Sequence, residues 1–83
     1  MKLSQIMKNY HRIEFITSVK LAMEETNLSE REMFFQMYKT AKTMRINTGF
    51  SKVKEDAWQQ YRKFVQYHKD FFSNLEYKQD IDM

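Results

Sequence analysis

Apolar residues recur every three or four positions through most of this chain, and the interruptions in that beat divide it into three helices. Over Ser4–Thr26 the beat is kept by Ile6, Tyr10, Ile13, Ile16 or Thr17, Val19 and Met23. Lys8, Arg12, Lys20 and Glu24 occupy the surface between them, which predicts an amphipathic helix. Its weak point is Asn9–Arg12, where poorer helix formers gather and a bend or a late start is expected. Asn27 suits the left-handed conformation that ends a helix, and the connection that follows is short enough to make the first two helices neighbours.

The next start signal is the plainest in the chain. In Leu28-Ser29-Glu30-Arg31-Glu32-Met33 the Ser29 hydroxyl can accept from the Glu32 backbone N–H while the Glu32 carboxylate accepts from the Ser29 N–H, a capping box. Leu28 and Met33 can close over it as a hydrophobic staple. A second helix is predicted over about 30–46, with Phe34, Met37, Tyr38, Ala41 and Met44 on one stripe, Met33 and Phe35 widening it, and Asn47-Thr48-Gly49 ending it. Ser51 is the expected cap of a third helix over about 52–78, carried by Ala57, Tyr61, Phe64, His68, Phe71 or Phe72, and Leu75, with Trp58 and Val65 beside them. At about 1.5 Å per residue it would reach roughly 40 Å against roughly 24 Å for the second helix, so its far end should overhang. Gln79-Asp80-Ile81-Asp82-Met83 reads as a short acidic tail.

These elements make an all-α protein: a small three-helix bundle with a long C-terminal helix, in a single domain over 1–83. The absence of Pro, the single Gly and the supply of Lys, Glu, Gln, Met and Leu agree with that class. A chain this short buries only about 60% of its unfolded surface, so its core is thin. No apolar run approaches the roughly 20 residues that cross a bilayer, and the first residues mix charges rather than form a leader, so neither a membrane span nor a signal peptide is expected. With no Cys the chain fits a reducing compartment, and a cytoplasmic location is expected.

Catalytic parts are scarce. His11 and His68 lie on different helices without a third ligand at metal spacing, and one glycine cannot build a phosphate-binding loop. The acidic pairs Glu24-Glu25, Glu55-Asp56 and Asp80-Asp82 sit near helix ends or in the tail, where solvation or the helix dipole accounts for them. The expectation is therefore a non-enzyme with no catalytic residue, metal, cofactor or small-molecule substrate.

Charge carries more information when it is divided by segment. Residues 1–32 balance cations against acids, and 55–83 are slightly acidic. Between them, 33–54 carry Lys39, Lys42, Arg45, Lys52 and Lys54 with no acid at all. Such a basic middle is solvated at a helix C-terminus, or meets phosphates, or meets an acidic protein surface. The 7 Phe, 5 Tyr, 1 Trp and 7 Met are many for so small a core, and they either fill it or extend into a partner-binding face.

Two binding functions follow. In the first, Trp58, Tyr61, Tyr67, Phe71 and Phe72 anchor a protein partner or a second copy of the chain at the overhanging end of helix three, and the basic patch steers association. In the second, helix two, the Thr48-Gly49 turn and helix three resemble a helix-turn-helix, with Ser51, Lys52, Lys54 and Glu55 at the front of the reading helix and Lys39, Lys42 and Arg45 near the nucleic-acid backbone. Leu28-Ser29, Met37-Tyr38-Lys39, Ala41, Val53 and Trp58 resemble scattered landmarks of the Hha family of small helical modulators of nucleoid-associated repressors. The spacing between the two blocks departs from that family by several residues, and its acidic and histidine positions after the tyrosine are missing, so the likeness does not amount to membership. A very small, Cys-free chain rich in lysine and aromatics is also the kind of product expected of phage or plasmid accessory genes. The expected function is an inhibitor, adaptor or regulator acting by stoichiometric contact with a protein, with nucleic-acid binding as the alternative.

Overall fold

The computed structural model describes residues 2–73, and within them the fold is all-α with no strand. Helix α1 is Leu3–Glu24, α2 is Glu30–Thr43 and α3 is Lys54–Tyr67. A further helical turn follows over 69–73. Helix α1 runs without interruption through Asn9–Arg12, where Gln5 Nε2 donates to Asn9 Oδ1 at 3.2 Å, so the bend expected there is not taken. It ends at Glu24 with Glu25 as its cap, short of Asn27, which does not adopt the left-handed conformation.

Helix α2 starts where its sequence directs. The Glu32 N–H donates to Ser29 Oγ at 3.2 Å, and the Ser29 N–H donates to Glu32 Oε1 at 3.3 Å. The Ser29 hydroxyl also donates to the same carboxylate at 2.9 Å. Ser29→Ala removes this exchange and should cost about 0.5–2 kcal/mol of stability, measured by urea denaturation. A cost indistinguishable from zero would mean that tertiary packing alone sets the start of α2.

The other end of α2 departs from expectation. Arg45, not a residue of the Asn47-Thr48-Gly49 run, takes the left-handed conformation at φ 58°. Its N–H donates to the Lys42 carbonyl at 3.2 Å and the Ile46 N–H donates to the Ala41 carbonyl at 2.8 Å. This pair of bonds is the Schellman ending, in which glycine is the usual occupant of the left-handed position. Gly49, at φ 82°, serves the loop instead.

Helix α3 is shorter than its periodicity implied, which corrects the long C-terminal helix. It begins at Lys54 with Val53 at the cap, and the Ser51 hydroxyl accepts from the Val53 N–H at 3.1 Å rather than capping the helix. It ends at Tyr67, and His68 leaves helical geometry at φ −109°, ψ 32°. The N–H groups of Phe71 and Phe72 then donate to the His68 carbonyl and restart a turn. The physical reason is burial: the break delivers Phe72 to the core at 3% exposure, whereas Phe71 stays at 46%. Helices α2 and α3 have 14 residues each, so α3 does not overhang α2. Leu75 and the acidic tail 79–83 lie outside the described residues.

The core joins Phe15, Ile16 and Val19 of α1, Met33, Phe34, Tyr38 and Ala41 of α2, and Ala57 and Tyr61 of α3, with Phe72 closing it. Phe34, fully buried, has its ring within 5.6 Å of those of Phe15, Phe35, Tyr38, Trp58 and Tyr61. Glu30 ties the three helices at one point, where Oε2 accepts from the Tyr61 hydroxyl at 2.7 Å and lies 3.2 Å from Lys20 Nζ. Burial, then the hydrogen bond and charge of Glu30, push the Tyr61 phenol far above its ordinary pKa, so it remains a donor.

Helix α1 requires a further correction. Its core face is Phe15, Ile16 and Val19, with Ala22 and Met23 packed against it. Ile6 and Tyr10, expected on that face, are 48% and 55% exposed. The 22 residues of α1 reach about 33 Å, against about 21 Å for either partner. The overhang expected of the third helix therefore belongs to the first, whose residues 2–8 are all exposed.

Candidate interaction surface

Between α2 and α3 the chain forms a loop over 44–53 that its own side chains hold in shape. Asn47 Oδ1 accepts from the Gly49 N–H at 2.9 Å, Thr48 Oγ1 from the Phe50 N–H at 3.2 Å, and Ser51 Oγ from the Val53 N–H. These side-chain turns replace backbone pairing at residues that favour them locally. Three distant side chains then fix the loop to the helices. Arg12 Nε donates to the Gly49 carbonyl at 2.8 Å, the Tyr38 hydroxyl to the Ser51 carbonyl at 2.6 Å, and the Ser51 N–H to Gln60 Oε1 at 2.8 Å. The Arg12 guanidinium also lies 5.1 Å from the ring centre of Phe50 and 5.6 Å from that of Phe64, a cation–π seat. Burial lowers the Arg12 pKa, but arginine keeps its charge at any physiological pH.

On the outside of this loop the basic middle is laid out as a surface. Lys39, Lys42, Arg45, Lys52 and Lys54 are all exposed. Lys42, Arg45 and Lys52 line one groove of about 520 Å³ whose floor is Tyr38, Phe50 and Thr48. Lys42 Nζ donates to the Lys52 carbonyl at 2.9 Å and lies 5.5 Å from the Tyr38 ring centre, which bridges the groove. Lys54 stands apart at 5.4 Å from the Phe35 ring centre, which also has the Arg31 guanidinium at 4.9 Å, and Lys39 does not line the groove. A second hollow of about 430 Å³ adjoins the first at Ile46 and Asn47 and runs to His11 and Glu14 on α1.

Apolar side chains stand among these cations. Met44, Ile46 and Val53 are 64%, 54% and 59% exposed. None of the three was singled out as an anchor from the sequence, where Met44 counts towards the core stripe and Ile46 and Val53 fall outside the beat of either helix. That loss of register is their one trace in the sequence.

The expected aromatic anchors divide. Tyr61 and Phe72 are core residues, so they are corrected from anchors to packing. Trp58 is half-buried, stacked on Tyr61 at 5.4 Å and packed against Phe34. Tyr67, 85% exposed, and Phe71 remain on the surface at the end of α3. His68 is exposed beside Phe64 and Tyr67. The front of α3 is not a free reading edge, because the backbone of Ser51 is bonded on both sides and the connection from α2 exceeds the roughly three or four residues of a helix-turn-helix.

Among the described residues no group of three or more His, Cys, Asp or Glu could hold a metal, and no helix is long and apolar enough to cross a membrane. No protein-family model, curated protein or solved structure matches the chain.

Proposed function

We propose that this chain is a non-enzymatic binding protein that works by stoichiometric contact with a protein partner, as an inhibitor, adaptor or regulator, and that the 44–53 loop with its basic rim is the contact surface. The observation that carries this reading is the mixture of side chains: Met44, Ile46 and Val53 stand exposed in the loop that also carries Arg45 and Lys52, with Lys42 bridging to Lys52. Exposed apolar groups rimmed by charge are the usual anatomy of a protein contact, in which the apolar centre supplies affinity and the rim supplies steering. The matching segment of the partner is acidic and apolar. Arg45 supports the same reading, since a non-glycine residue held left-handed stores about 1–3 kcal/mol and such strain gathers at functional positions.

The second reading is a nucleic-acid backbone on the five cations Lys39, Lys42, Arg45, Lys52 and Lys54, which the charge alone favours. Affinity purification from the native host, with and without nuclease, separates the two when run on the wild type, Ile46→Asp, and Lys42→Glu with Lys52→Glu. A protein partner that survives nuclease should lose roughly tenfold or more in affinity with Ile46→Asp, while the charge reversals should slow association most at low salt. Recovery of nucleic acid, with binding that falls by about 0.7–0.9 ions per phosphate as salt rises and is indifferent to Ile46→Asp, would replace the protein-binding reading with the second.

A further inference from the structure

Helix α1 is apolar on two sides. At about 100° per residue, Phe15, Ile16 and Val19 face the core, and Leu3, Met7, Tyr10, Thr17 and Leu21 fall on the opposite side. Leu3, Met7, Tyr10 and Leu21 are 73%, 45%, 55% and 44% exposed. The positions 3, 7, 10, 14, 17 and 21 alternate by four and three, which is the seam of a two-helix coiled coil, with Ile6 and Ile13 beside it.

We propose that a second copy of this chain covers this face, the two α1 helices packing antiparallel about a two-fold axis at the level of Arg12. Two features of α1 favour that occupant. First, the seam is self-complementary, as a two-fold contact must be. In an antiparallel pair whose facing positions add to 24, Leu3 meets Leu21, Met7 meets Thr17, and the one charged seam residue, Glu14, meets Tyr10, whose hydroxyl can donate to it. A parallel pair would instead set Glu14 against Glu14. Second, the seam is short, but α1 is already folded on α2 and α3, so the cost of forming a helix does not fall on the contact. Glu14 keeps its neighbour His11, 3.7 Å away on the edge of the seam. The face lies across α1 from the core and from the Arg12–Gly49 contact; at Glu14 it borders the hollow shared with Ile46 and Asn47 of the loop, but it does not depend on the function proposed for that loop.

The absence of cysteine makes the register directly testable on the full chain. Sedimentation should show a reversible dimer that dissociates with dilution. Tyr10→Glu, which faces the new carboxylate with Glu14 of the other copy, should give a monomer with unchanged helicity by circular dichroism. Under mild oxidation, Leu3→Cys and Leu21→Cys chains should cross-link to each other when mixed and neither to itself, because the two positions lie about 27 Å apart along α1. A wild-type chain that stays monomeric to millimolar concentration overturns the proposal. So does self-cross-linking of Leu3→Cys alone, which would mean a parallel pair, and so does a dimer that survives Tyr10→Glu, which would place the contact elsewhere.

Discussion

Phe34→Ala is expected to cost about 3–5 kcal/mol, the largest loss available from one side chain in this protein. Phe34 is fully buried: its ring meets Phe15 edge-on, stacks on Tyr38 at 19°, and packs against Trp58 and Tyr61. Truncation removes the contact shared by all three helices and leaves a hole that rigid aromatic walls cannot close, so both the transfer and the cavity contributions are lost. A domain of this size has roughly 4–12 kcal/mol in total, so the variant should be largely molten in moderate urea. Urea denaturation followed by tryptophan fluorescence reads it directly, since Trp58 is a neighbour of the lost ring. A cost under about 1.5 kcal/mol would show that the core repacks freely around α2.

Gly49→Ala should cost about 3 kcal/mol, for two separate reasons. At φ 82° an L residue is strained by about 1–3 kcal/mol, and a Cβ there would lie 2.7 Å from both the Lys8 carbonyl oxygen and Arg12 Cγ. The Arg12 side chain can yield, but the Lys8 carbonyl is helix backbone, so overpacking adds a further cost of about 1–3 kcal/mol. The loop must then lift from α1, and the Arg12 hydrogen bond and cation–π seat go with it. Thermal unfolding checks the magnitude, and amide exchange at Gly49 and Phe50 checks the cause. A variant as stable as the wild type would mean that the loop is not held against α1.

The sequence was most legible where the signal is local. Ser29 and Glu32 specify the start of α2 because both partners lie within one turn, and the α2 stripe was read correctly at Phe34, Met37, Tyr38 and Ala41, which share one face, but not at Met44, which lies past the helix end and is exposed. It was least legible where a distant residue decides. Helix α3 keeps an apolar beat past Tyr67, and the break at His68 becomes intelligible only when Phe72 is seen to complete a core built by three other elements. Arg45 in the left-handed position runs against its own preference and is held by the bonds of the helix end, so composition pointed to Asn47 and Gly49 instead. On α1 two apolar faces were merged into one, because the beat of Ile6 and Tyr10 is continuous in sequence with that of Ile16 and Val19. At the candidate surface, the cations were legible as a run without acids. The exposed Met44, Ile46 and Val53 among them were not, since nothing in a sequence says which apolar residues a loop leaves outside.

The two ends of α2 differ in kind from those of its neighbours. Its start is closed by Ser29 and Glu32 and its finish by the Schellman pair at Arg45 and Ile46, all from residues within or beside the helix. Helices α1 and α3 begin at Lys2 and Val53, neither of which caps by its side chain. Order of folding follows from that asymmetry. Contacts of short sequence separation form with little loop-closure entropy, whereas Arg12 must find Gly49 across 37 positions and Tyr61 must find Glu30 across 31. Helix α2 is thus the segment able to hold its limits before any tertiary contact exists, and it presents Met33, Phe34 and Tyr38 as the template on which α1 and α3 condense. The folding nucleus is therefore expected on the middle of the chain, with the basic loop, sealed by the Arg12–Gly49 contact, expected to close last.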